Sequence, residues 1–182
     1  MTVLTVAQER FRAMKSHVDF APVIRFAVEG GFAPDERSAE RVLDGVLQWL
    51  VGHASAEHAQ TPYVMMNGDV DEMFHALILN TRIYLQLCRE HIGFYIHHTP
   101  LDAEEAEGVE EGIGYTIDYI LDTFGDLVSP SILHWKEQFD RGELTASSVS
   151  CMGNGYEPAV KELLDIDDFR TFWDRNVIEG TA

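Results

Sequence analysis

The apolar series Val70, Phe74, Leu77, Ile78, Thr81, Leu85, Cys88 and Ile92 recurs at three- and four-residue steps. It runs for about six turns of an α-helix. A stripe that long buries itself in one way, as a helix laid against other helices. Asp69 and Glu72 stand in the Asp-x-x-Glu spacing of a capping box at its start, and Gly93 follows its last apolar residue as a stop. The spacing predicts a central helix over residues 69–92.

The flanking segments follow the same period. Val6, Phe11, Met14 and Val18 fall near helical spacing. Asp19 is placed to cap a second helix, Pro22 sits in its first turn, and Gly30-Gly31 end it. Residues 33–55 carry a wide apolar face from Val42 to Val51, Trp49 included. An acidic helix is expected over 102–124, with Val109, Ile113, Ile117, Ile120, Leu121 and Phe124 inward and Gly125 as its end. Ser129, Pro130 and Gly142 frame another as cap, first residue and stop, and two short helices are expected over 158–165 and 167–178. Residues 56–68 read as a linker, 95–100 as a turn and 145–158 as a long loop. No segment alternates with period two. The expected fold is all-α: a single domain over residues 1–182, an orthogonal bundle of about seven helices. A three-stranded sheet would contradict it.

With 46% apolar residues in 182, the chain can bury a real core. Its formal net charge is −18, and no Lys or Arg occurs between Arg89 and Lys136. Such a surface repels phosphates, which argues against nucleic acid and anionic membranes as partners. No run approaches the roughly 20 apolar residues of a membrane span. The opening "MTVLTVAQERFRAMK" brings in charge only after its apolar residues, against a secretory signal. Two cysteines, Cys88 and Cys151, make no disulfide framework, and a cytoplasmic location is the simplest reading. Cys88 is expected to pack as a small apolar group, and Cys151, in a Gly/Ser-rich stretch, to be a surface thiol. A small molecule or another protein is the expected partner.

Chemistry concentrates beside the central stripe. With Phe74 at the stripe's centre, Asp71, His75 and Arg82 fall at roughly +60°, +100° and +80°, along one edge. Asp71 and His75, four residues apart, can bond each other or share one ion. A third ligand is expected from the pair that follows the helix, His98 or in its place His97, with His58 as an approach from the other end. Two histidines and a carboxylate suit non-haem iron, or zinc with an open position. A divalent-metal site of Asp71, His75, His98 and His97, that of a metalloenzyme of unknown substrate, is therefore one expectation. It requires one of the paired imidazoles within about 8 Å of His75, since bonds to a shared metal are near 2 Å. The other expectation is an acidic helical interaction module without catalysis. There Asp71 serves the helix macrodipole, His75 bonds to it, His97 faces solvent and His98 caps a helix end. His134-Trp135 reads as core packing. There is no Cys-x-x-Cys, no His-Glu-x-x-His, no phosphate-binding glycine loop and no nucleophile motif.

The segment "VDEMFHALILNTRIYLQLC" resembles the Asp-x-x-Trp-His stretch of the glycine-rich domain-containing-protein-like (GRDP-like) family and its short bacterial relatives. Asp71, Phe74-His75, Tyr84 and Cys88 carry the likeness, followed by Gly93 and "HHTP", then Tyr115-Thr116, Tyr119, Phe124-Gly125 and Trp135. It covers about residues 69–135. The chain departs at Phe74, where that family favours Trp, and at Leu77, where many plant members place a second His. The resemblance implies a helical fold and no particular activity.

Overall fold

The computed structural model describes residues 5–55, 61–100 and 108–154. Helix α1 (Val6–His17) opens on a capping box in which Thr5 and Gln8 satisfy each other's backbone N–H groups. Helix α2 (Ala21–Glu29) follows, its first N–H bonded to Asp19 at 3.0 Å as the sequence leads one to expect. Helix α3 (Glu36–Ser55) is the longest described helix and packs against α1, α2 and the later helices. Strand β1 (Val64–Met66) precedes α4 (Asp69–Leu79) and α5 (Thr81–Leu87), and a π-helical turn (Cys88–Ile92) leads to strand β2 (His97–Pro100). Helix α6 (Val109–Phe124), helix α7 (Pro130–Asp140) and strand β3 (Val149–Asn154) complete the described order. The core is one cluster, with Trp49, Phe74, Tyr84, Phe124 and Trp135 among its largest buried side chains.

The fold is mostly helical, as the periodicities require, but it is not purely so. The three strands form one antiparallel sheet in the order β1-β3-β2. This corrects the exclusion of a sheet, and each strand lies in a segment read as linker, turn or loop. Their patterns explain why. All three residues of β1 are buried, so no alternation shows. β2 is "HHTP" and β3 contains Gly153, neither of which reads as a strand.

The central helix is also corrected. It breaks at Asn80, whose ψ of 60° is not helical and whose side-chain amide donates to the Ala76 carbonyl at 2.8 Å. That side-chain bond competes with the helical ladder. The break shifts part of the stripe: Leu85 is 39% exposed and Tyr84 and Leu87 are buried, while Cys88 and Ile92 are buried as the spacing predicts. Gly93 does end the element, in the left-handed region at φ 95°. Helix α7 has its expected frame, with Ser129 accepting from the Ser131 N–H behind Pro130. His58, residues 102–107 of the acidic helix and the two terminal helices lie outside the described residues. Among the described residues no helix is long and apolar enough to cross a membrane.

The sheet is pinned to the helices by buried polar bonds. The Trp49 indole donates to the Val64 carbonyl at 2.8 Å, and the Val64 N–H donates to Thr116 Oγ1 at 2.9 Å. Thr116→Val keeps the shape and leaves that N–H buried without a partner. It should lower stability by about 1–3 kcal/mol in denaturant titration. An unchanged midpoint would mean that β1 is not anchored through α6.

Candidate metal centre

Asp71 lies in the first turn of α4, where an acidic residue is favoured by the unpaired N–H groups. It is nonetheless nearly buried. One helical turn later His75 follows on the same edge, its Nδ1 at 3.8 Å from Asp71 Oδ2 and about half its side chain exposed. Arg82, predicted on that edge, falls beyond the break at Asn80 and is exposed.

The return of the chain brings the rest. After Gly93 it runs back beside α5. There the Tyr84 hydroxyl donates to the Ile96 carbonyl, and the Cys88 sulfur also bonds the Ile96 backbone. Ile96 is thus fixed two residues before His98. Successive residues of a strand point to opposite faces. His98 faces α4, with Nε2 donating to Asp71 Oδ1 at 3.0 Å and its ring centroid 4.4 Å from that of His75. His97 faces the other way, exposed, its ring 4.8 Å from that of Tyr95. The structure brings Asp71, His75 and His98 together and leaves His97 out. The separation of the His75 and His98 rings meets the 8 Å condition.

A member of the cluster that the sequence reading missed comes from β3. This central strand is held against β1 by the Asn67 N–H, which donates to the Ser148 carbonyl at 2.7 Å, and by Ser150 Oγ, which donates to the Met65 carbonyl at 3.0 Å. The register sets Cys151 opposite both Met65 and Pro100, and His98 opposite Gly153. Cys151 is therefore a diagonal, same-face neighbour of His98. Its thiol is fully buried, which corrects the surface thiol expected from the Gly/Ser-rich stretch. Nothing in the local sequence marks it, since its place follows from the register of β3 against both neighbours.

Asp71, His98 and Cys151 each offer one ligand atom, and these atoms all lie within 4.8 Å of one another. In a tetrahedral site with bonds of about 2.0–2.3 Å, such atoms stand roughly 3.3–3.8 Å apart. A contraction of about an ångström at the widest pair would close the three on one ion. Without an ion the cluster satisfies itself. The hydrogen bond to Asp71, and after it the one to Cys151, raises the His98 pKa to about 10, so the imidazole is held as the cation. Behind it, burial raises the Tyr84 phenol and pushes the Cys88 thiol up to about 11. Both stay neutral and act as supports for Ile96 rather than as reacting groups.

A family model described as UCP032817-like matches residues 24–117, and the chain belongs to that family. The match overturns the GRDP-like resemblance, which rested on single positions such as Phe74-His75 and Tyr84 rather than on a matched segment. No curated protein and no solved structure matches the chain. The matched segment contains Asp71, His75 and His98 and stops short of Cys151.

Proposed function

We propose that this member of the UCP032817-like family is a small acidic divalent-metal protein. Its ion is held by Asp71, His98 and Cys151, and His75 stands at the open edge. The observation that carries the reading is the convergence itself. Three ligand atoms of three chemical types, from α4, β2 and β3, meet in a nearly buried cluster. One ion would serve the carboxylate, the imidazole and the thiol at once, in place of the hydrogen bonds that His98 makes to the other two in the metal-free cluster. The sulfur donor favours zinc over harder ions, with iron as the other candidate. Three protein ligands leave a fourth position, where zinc or iron could hold and activate a water. His75, half exposed and beside both Asp71 and His98, is placed to close that position or to take a proton from what binds there. Cys151 serves as ligand and not as nucleophile in this reading, because a fully buried sulfur cannot meet a substrate.

A second reading has its own support. Asp71 and His98 already bond at 3.0 Å, so the cluster is compatible with a non-catalytic acidic interaction module whose polar residues are structural. Cobalt(II) titration separates the two. The metal reading expects a sulfur-to-cobalt charge-transfer band that saturates at about one equivalent and disappears in Cys151→Ser. Absence of the band in the unaltered protein would favour the structural reading.

The pH dependence has a definite sign. A metal must displace the proton held on His98, so metal affinity should rise with pH until about 10, rather than levelling off above the ordinary histidine range. The metal-free fold behaves in the opposite sense. The folded-state pKa is raised above the usual 6.5, so this contribution to stability is complete below about 6.5 and is lost as pH rises through about 10. Zinc affinity measured from pH 6 to 10 checks this, and a plateau reached by about pH 7 would contradict the held imidazolium.

A further inference from the structure

Two histidines outside the candidate centre meet where distant parts of the chain adjoin. His17 ends α1 and His91 lies on the π-helical turn. Their ring centroids are 5.9 Å apart, with 27° between the ring planes. A π-helical turn is a rare distortion that concentrates at functional positions. The two rings are not equivalent. His17 is exposed. His91 is partly buried, and its Nε2 is closed off from solvent with no hydrogen-bond partner among the described residues. A neutral ring can leave that nitrogen as a bare acceptor. A protonated ring must place an N–H there, and a charge with it.

The surroundings oppose that charge. From α1, Arg10 and His17 bear on the ring. On its own turn Glu90 is the opposite charge, but it is exposed and already bound by Gln86 at 3.0 Å and by Arg89. Helices α3 and α5 also adjoin the turn. His53 of α3 stacks on Trp49, Tyr84 of α5 bonds Ile96, and neither they nor Arg82 of α5 bear on His91. Burial first, and then His17 and Arg10 against the pull of Glu90, hold the His91 pKa below the usual 6.5.

We propose that the contact of His17 with His91 is an acid-opened latch, in which a proton taken up by His91 loosens the seam between the end of α1 and the π-helical turn. The sign follows from proton linkage. Opening wets the His91 ring, which then takes a proton near the usual 6.5, while the closed seam resists it. The open form binds more protons, so the seam weakens as pH falls below about 6.5 and is indifferent to pH well above it. The assignment does not depend on the metal centre.

Hydrogen–deuterium exchange of the full chain tests it, read by mass spectrometry and corrected for the intrinsic effect of pH. From pH 7 to 5, protection over residues 6–17 and 88–96 should fall at least about three-fold, within the roughly ten-fold per pH unit that one proton can supply. Helix α7 should hold its protection. His91→Phe keeps a flat ring against His17 and cannot take the proton, so its seam should keep the same protection at both pH values. His91→Gln, smaller and uncharged, should behave the same way should the phenyl ring not fit. His17→Gln, at an exposed position, should reduce the acid effect without abolishing it, because burial and Arg10 remain. An acid loss that persists in both His91 variants, a loss spread equally over α7, or no loss in the unaltered protein would each overturn the proposal.

Discussion

Phe74→Ala is expected to lower stability by about 3–5 kcal/mol, the cost of emptying a buried aromatic position. For a chain of this size that is a fall in melting temperature on the order of 10 °C. The side chain is fully buried, and its ring meets those of Trp49 at 5.6 Å, Tyr84 at 5.8 Å and His98 at 5.4 Å. Because one of those neighbours is His98, the substitution should also loosen the ligand cluster. Phe74→Leu should cost distinctly less, since most of the volume remains. A melting temperature that barely moves in Phe74→Ala would mean that α4 is not packed on this face.

The second large effect separates the two histidines of one dipeptide. His98→Ala and Cys151→Ser should each weaken zinc by at least about 100-fold, or about 2.7 kcal/mol. His97→Ala should stay within roughly two-fold of the unaltered protein, as surface substitutions usually do. His75→Ala should fall between them, because His75 borders the cluster without belonging to its three-atom core. Competition with a chromophoric chelator gives all four values. Thermal melts of the metal-free variants show whether each is folded. If His97→Ala proved as damaging as His98→Ala, the facing of β2 would be wrong, and with it the ligand set.

The helices could be read from residues whose physics is local. Ser129 and Pro130 start α7, Gly93 ends the central element, and Asp19 meets the first N–H of α2. Such signals act within a turn or two of chain. The break at Asn80 is local too, but asparagine is tolerated inside helices often enough that its side-chain bond to Ala76 is visible only in three dimensions. The sheet was illegible for another reason. β1 and β3 pair across more than eighty residues, Val64 with Met152, and neither strand carries an alternating pattern that would announce a partner.

The site inherits that division. Asp71 and His75 share one helix edge and could be proposed from spacing. His98 could be named only together with His97, because the choice between them depends on which face of β2 meets α4. Cys151 could not be placed at all, since its position follows from the register of β3 against both neighbours. Two of the three core ligands were therefore within reach of the sequence, and the third required the fold.

The most direct test of the central claim is the metal content of protein purified natively, without chelator and without a polyhistidine tag, measured by plasma mass spectrometry. The account predicts about one equivalent of zinc, or of iron in its place, and a melting temperature that rises when either is restored to stripped protein. Less than about a tenth of an equivalent of any transition metal, with no thermal shift on adding zinc or iron, would contradict it and leave Asp71, His98 and Cys151 as a structural hydrogen-bonded cluster.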